Sequence, residues 1–218
     1  MRQLGIDEAG RGPVIGPMVI AGVVLDKNGE RQLKDAGVKD SKMLSIEKRK
    51  SLIELIKEVS VSNKIMILEP KEIDEALDSI NSNLNRLEML NMAMIANSLD
   101  SEEIVIDAPT SNIDSFRNEL RVYLKKKDRK IILEHKADIN FVSVAAASIL
   151  AKVTRDWEIE KIKIKYGIEI GSGYPSDPKT REFLAENYNK YDFFRKSWSS
   201  WKRLVQKTDN KQSKLDGW

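Results

Sequence analysis

The stretch from Leu4 to Leu25, LGIDEAGRGPVIGPMVIAGVVL, decides how the rest of the chain is read. Gln3 to Ile6 reads as a short strand. Pro17 to Leu25 is a continuous apolar, β-branched run of the kind buried inside a sheet. Between the two runs stand adjacent carboxylates, Asp7 and Glu8, followed by a Gly-Arg-Gly turn, Gly10, Arg11 and Gly12. Two acids side by side at a buried strand end cost stability unless something binds them. Glycines beside them allow close backbone approach to a ligand, and Arg11 adds a fixed positive charge.

Working outward, strands alternate with helices. Asn28-Gly29 reads as a turn. Ser45 heads a helix through Val59 with an apolar stripe at Ile46, Leu52, Ile53, Ile56 and Val59. Val61 to Leu68 is a strand, Lys71 to Leu77 a polar helix, and Asn81 to Leu99 a helix rich in Leu and Met that suits core packing. A strand at Ile104 to Ile106 ends on Asp107. A helix from Ile113 to Leu124 and a strand from Lys130 to His135 follow. A long helix starts near Asn140, small and apolar at first and then charged. Glu169 to Thr180 is a loop by its Gly, Pro and Ser content, and helices close the chain. This order predicts an α/β protein, a mixed central sheet flanked by helices with a small helical C-terminal region. We place a main α/β domain at 1–167, a helical region that includes the tyrosine loop at 168–207 and a flexible tail at 208–218.

Composition narrows the chemistry. The chain has 218 residues, no cysteine and one histidine, His135. Disulfides and thiolate metal sites are excluded, and any metal would sit among oxygen donors, which favours Mg²⁺ or Mn²⁺. No apolar run is long enough to span a bilayer and no signal peptide precedes the first strand, so a cytoplasmic location is expected. Net charge is +3. The basic runs at Tyr123 to Lys130 and Glu160 to Tyr166 read as solvated helix faces. The run FRKSWSSWKR, Phe194 to Arg203, mixes cations with Trp198 and Trp201 and is expected to face a polyanion.

Four acids stand at strand ends or just after them: Asp7, Glu8, Asp107 and Asp138. Functional groups gather where the strands of an α/β sheet end. Carboxylates brought together there repel and need cations to stay ionised. Two divalent ions about 4 Å apart can activate water and hold the leaving oxygen of a phosphodiester. Singly, Asp107 could start a turn and Asp138 could cap the long helix. The pair Asp7 and Glu8 is harder to read as structural.

GIDEAGRGPVIGPMV, KDSKMLS, VIDAP, HKAD, VAAASILAKVTRD and GSGYPSDP, in that order across residues 5–178, together resemble the ribonuclease HII family, the type 2 ribonuclease H of archaea and bacteria, and its archaeal monomeric branch in particular. The resemblance implies a ribonuclease H-like fold and a metal-dependent endonuclease. Its substrates would be RNA–DNA hybrids and duplex DNA with embedded ribonucleotides, its products 3′-hydroxyl and 5′-phosphate ends. The family's catalytic and metal-ligand set falls on Asp7, Glu8, Asp107 and Asp138, and two ions are implied with substrate. The resemblance also assigns Gly10, Arg11, Gly12 and Tyr174 to reading the 2′-hydroxyl that separates RNA from DNA. Lys42, in a turn before a helix, suits a phosphate contact. Lys152, Arg155 and Asp156 share a helix face, where ion pairing competes with substrate contact. His135 is expected to orient the HKAD turn.

The chain ends QSKLDGW. Gln212, Leu215 and Trp218 resemble the peptide by which repair enzymes bind the replication sliding clamp, with one terminal aromatic instead of two. Two other readings are open: another two-metal nuclease or integrase of this fold, and a hybrid-binding protein without catalysis. The Gly-Arg-Gly turn and tyrosine loop argue against the first, the full set of acids against the second.

Overall fold

The structure, a computed structural model, describes residues 1–38 and 46–215, the side chains of 46–50 and 208–215 excepted. Five strands form one sheet: β1 (Gln3–Ala9), β2 (Met18–Leu25), β3 (Ser62–Leu68), β4 (Glu103–Asp107) and β5 (Lys130–Glu134). Their order is β3-β2-β1-β4-β5. β1 pairs antiparallel with β2 and parallel with β4, and β4 pairs parallel with β5. The sheet is mixed, as expected. Helices in chain order are α1 (Lys27–Asp35), α2 (Ile46–Val59), α3 (Pro70–Asp78), α4 (Leu84–Ser98), α5 (Ile113–Tyr123), α6 (Ala137–Asn140), α7 (Val142–Tyr166), α8 (Pro178–Asn187) and α9 (Ser199–Leu215). Among the described residues, no helix is long and apolar enough to cross a membrane.

Two compact units are present. The first comprises Met1–Ala9, Val19–Ile67 and Asn85–Arg155. The second comprises Gly10–Met18, Leu68–Leu84 and Asp156–Trp218. A single linear boundary near residue 167 does not capture this division, because the second unit recruits two early segments. Its chain also stays helical to Leu215, where a tail from residue 208 was expected.

In the first unit the pleat sorts side chains by parity. Val19, Ala21, Val23 and Leu25 of β2 form one core cluster with Leu33 of α1, Ile53 and Ile56 of α2, and Ala146 and Leu150 of α7. Gly22 faces the other way, where an added Cβ would lie 2.4 Å from Ile95 Cγ2 of α4. Asn28-Gly29 is not a turn but the start of α1. Asp26 caps it by accepting from the Asn28 and Gly29 amides at 3.0 and 2.9 Å, and this cap overrides the local turn preference.

Gly5 sets how closely α7 approaches β1. A Cβ built there would lie 2.1 Å from the Ser143 carbonyl carbon and 2.3 Å from the Val144 amide nitrogen. Only backbone occupies that gap, so no flexible side chain can yield. The Gly5→Ala variant is expected to lose at least about 2 kcal/mol of stability, as forced overpacking does. Chemical denaturation measures this, and an unchanged midpoint would contradict the close approach.

Candidate active site

The acids stand in the first unit. Asp7 and Glu8 lie within β1, and Asp107 ends β4, so the strands run further than their apolar cores suggested. The parallel register pairs Gly5 with Val105 and Ile6 with Ile106, which brings Asp7 beside Asp107. Both lie on the face that carries Gly5 and Val105, and Val105 packs with Ala137 and Val144. The pleat turns Glu8 toward the opposite face at the same strand end.

Asp7 is buried and has its carboxyl raised well above the ordinary carboxylate range. Burial is the main cause, followed by the negative charge of Glu8, with Asp107 adding to it. Hydrogen bonds from the Ser148 side chain and the Glu8 amide, the latter at 2.7 Å to Oδ1, oppose the rise. Ser148 comes from α7, the helix that Gly5 admits. Sequence reading did not single it out, because a serine in a run of alanines carries no signal of its own.

Asp107 Oδ1 accepts from the Lys136 amide at 2.9 Å, tying the end of β4 to the turn that carries Asp138. Lys136 sits in the left-handed region at φ 60°. Asp138 does not cap the long helix. It lies buried in the short separate helix α6, which the Phe141 amide closes by donating to the Ala137 carbonyl at 2.8 Å. His135 is exposed at this turn.

The structure thus joins Asp7 to Glu8 and Asp107 electrostatically, and Asp107 to the turn of Asp138 by a hydrogen bond. Among the described residues, no three acidic or histidine side chains are gathered closely enough to hold one ion as they stand. A cation would have to draw the carboxylates inward. Their chemistry fits one: the donors are hard oxygens, and the raised carboxyl of Asp7 is what an adjacent divalent charge would relieve.

The turn and the tyrosine loop belong to the second unit. Gly10 holds φ 83°, a conformation that L side chains rarely adopt. A Cβ on Gly12 would stand 3.5 Å from Tyr174 Cε1, so the tyrosine ring edge lies against the turn. The Val14 and Ile15 amides both donate to the Gly173 carbonyl, at 2.9 and 3.3 Å. Asp177 accepts from the Ser172 and Lys179 amides at 2.7 and 3.0 Å. These bonds, Ser172 foremost, hold its carboxyl below the usual range. Thr180 Oγ1 accepts from the Gly173 amide at 3.0 Å and donates to the Ile170 carbonyl at 2.8 Å. Asp177 caps α8, which begins at Pro178, inside the stretch to Thr180 that was expected to be loop; Asp ahead of Pro is the signal that would have placed this start.

The basic run at Phe194 to Arg203 departs from expectation. Arg195 is fully buried, and its charge faces backbone carbonyls. The run at Tyr123 to Lys130 also departs, since it lies beyond α5 and Arg129 is buried against the Leu99 carbonyl. The run at Glu160 to Tyr166 is a helix face with Lys161–Glu158 and Lys163–Glu160 ion pairs, as read. On that helix Lys152 is exposed and Arg155 buried. Lys42 lies outside the described residues, as do Trp218 and the side chains of Gln212 and Leu215.

The family model for ribonuclease HII matches residues 4–201. The chain belongs to the ribonuclease HII family. A ribonuclease HII from Methanococcus maripaludis is 47% identical over 223 residues, covering 99% of this chain and 91% of that one. The crystal structure of ribonuclease H2 from Pyrococcus horikoshii superposes with a TM-score of 0.87 at 40% identity, covering 95% of this chain and 98% of that one. The ribonuclease HII of the Archaeoglobus fulgidus PCNA:RNase HII complex gives 0.83 at 38% identity, covering 91% and 96%. The fold is thus ribonuclease H-like, and the protein is an RNA–DNA hybrid endonuclease that depends on divalent metal.

Asp7 carries a testable sign. A carboxyl that titrates higher in the folded than in the unfolded chain holds its proton longer when folded. Its contribution to metal-free stability therefore declines as pH rises from the ordinary carboxylate value through the raised native one. The Asp7→Asn variant is expected to lose that decline and, without metal at neutral pH, to melt about 3 °C higher than wild type. Thermal denaturation across pH checks both. An equal or lower melting point would mean that Asp7 is not held at a cost.

Proposed function

We propose that the enzyme cuts the RNA strand of RNA–DNA hybrids and also cuts duplex DNA at single embedded ribonucleotides, leaving 3′-hydroxyl and 5′-phosphate ends. The observation that carries this reading is the placement of Asp7 beside Asp107 at the ends of two parallel strands, with the Asp138 turn hydrogen-bonded to Asp107. Asp7, Glu8, Asp107 and Asp138 would hold two ions, either Mg²⁺ or Mn²⁺. Bound there, the ions supply Lewis acidity for the attacking water and charge compensation for the leaving oxygen.

The chain's own groups do the rest. Ser148 and the Glu8 amide keep Asp7 oriented on the α7 face. Gly10, Arg11, Gly12 and Tyr174 read the 2′-hydroxyl, and Lys42 contacts a phosphate. Water attacks in line, so no covalent enzyme intermediate forms. The protein acts as a monomer in the removal of ribonucleotides and RNA primers during replication and repair. The Archaeoglobus relative in complex with PCNA supports the reading that Gln212, Leu215 and Trp218 dock on a sliding clamp.

The decisive assay is cleavage of a duplex carrying one ribonucleotide, with and without Mg²⁺. Wild type is expected to cut only with the ion, and Asp7→Asn to be slower by about 100-fold or more at saturating Mg²⁺. Near-wild-type cleavage by Asp7→Asn would sink the assignment of the acids. Deleting Gln212 to Trp218 is expected to abolish clamp binding, measured by calorimetry, and to spare cleavage in free solution. Undiminished clamp binding by the truncated protein would refute the tail's role.

A further inference from the structure

The Gly-Arg-Gly turn is held from behind by two residues far along the chain. Arg195 is fully buried. Its Nε donates to the Gly16 carbonyl at 2.9 Å, and one terminal nitrogen donates to the Arg11 carbonyl at 3.3 Å. The Arg195 amide also donates to the Val14 carbonyl at 2.9 Å. Its guanidinium carbon lies 4.7 Å from the centre of the Trp198 ring. Trp198 Nε1 in turn donates to the Gly12 carbonyl at 3.0 Å. The two side chains thus capture carbonyls from Arg11, Gly12 and Gly16. The segment bearing them is fixed by Asp74, whose carboxylate accepts from the Lys196 and Ser197 amides at 2.8 and 2.9 Å.

A buried arginine is costly unless its donors are used, and here two of its nitrogens donate to backbone oxygens of the turn and its flank. A glycine turn without such support samples many conformations. We propose that Arg195 and Trp198 are positioning residues for ribose recognition. They clamp the carbonyl side of the Gly-Arg-Gly turn so that its amide side and the Tyr174 hydroxyl meet one 2′-hydroxyl in register. This rests on the reading that the turn and Tyr174 recognise the 2′-hydroxyl. Trp198 is well placed for the task, because it also lines an open groove of about 480 Å³ with Arg11, Gly12 and Leu84.

The clamp matters most where one ribose must be met. A continuous RNA strand offers a 2′-hydroxyl at every step, so a loosened turn can still engage a neighbour. A duplex with one ribonucleotide offers no second chance. The readout is therefore the ratio of kcat/KM on a single-ribonucleotide duplex to kcat/KM on a continuous hybrid. Melting temperatures are measured alongside for Trp198→Ala, Trp198→Phe and Tyr174→Phe.

Trp198→Ala is expected to lower both the melting temperature and the ratio. Trp198→Phe restores the ring over Arg195 but not the N–H donor. It is expected to recover the melting temperature while the ratio stays about fivefold below wild type, the scale of one lost hydrogen bond. Recovery of both by Trp198→Phe would reduce Trp198 to packing and overturn the proposal. If Tyr174→Phe lowers the ratio and Trp198→Phe does not, the clamp fails while ribose reading by the tyrosine stands. If neither variant moves the ratio, the underlying reading of the turn and loop fails with it.

Discussion

The end of the sheet that carries Asp7 and Asp107 depends on how closely helix α7 can lie on strand β1. That distance is set by the missing side chain at Gly5, over which the backbone of Ser143 and Val144 passes. The alanines at 145 to 147 keep the rest of the interface thin, all three within the core cluster that includes β2. Because the helix is this close, Ser148 reaches Asp7. Burial of Asp7 follows from the same approach, and burial is the largest reason its carboxyl is raised. A packing decision at one glycine thus becomes an electrostatic property of the acid two residues on.

The parallel pairing of β1 with β4 supplies the second half. A parallel register repeats the same end of each strand side by side, so acids at equivalent positions meet without any loop to arrange them. The Lys136 amide then borrows one oxygen of Asp107 to fix the turn before α6. Repulsion among these groups works against the folded state, as is common where residues are placed for chemistry instead of stability.

Much of this was legible in the residues. The continuous run of β2 and the acids at strand ends both rest on short-range rules. Asp26 shows where such rules compete: the same Asn-Gly that favours a turn was carried into a helix by the cap before it. Arg195 shows where they stop. A cation between Phe194 and Lys196 reads as surface, yet it is buried and donates to carbonyls of Arg11 and Gly16, far back in the chain. No local pattern announces such partners, because backbone oxygens are the same in every sequence. The small helix α6 escaped for a related reason: four residues are too few for a periodic signal.

The discontinuous second unit also bears on the protein's birth. Residues 10–18 leave the ribosome early, but the hydrogen bonds that hold them come from Gly173, Phe193, Arg195 and Trp198. Those donors and acceptors do not yet exist while the first strands are emerging. The nascent chain therefore carries its acids long before it carries a finished turn. Any fragment released by premature termination before Trp198 would carry all four strand-end acids without the bonds that complete the Gly-Arg-Gly turn.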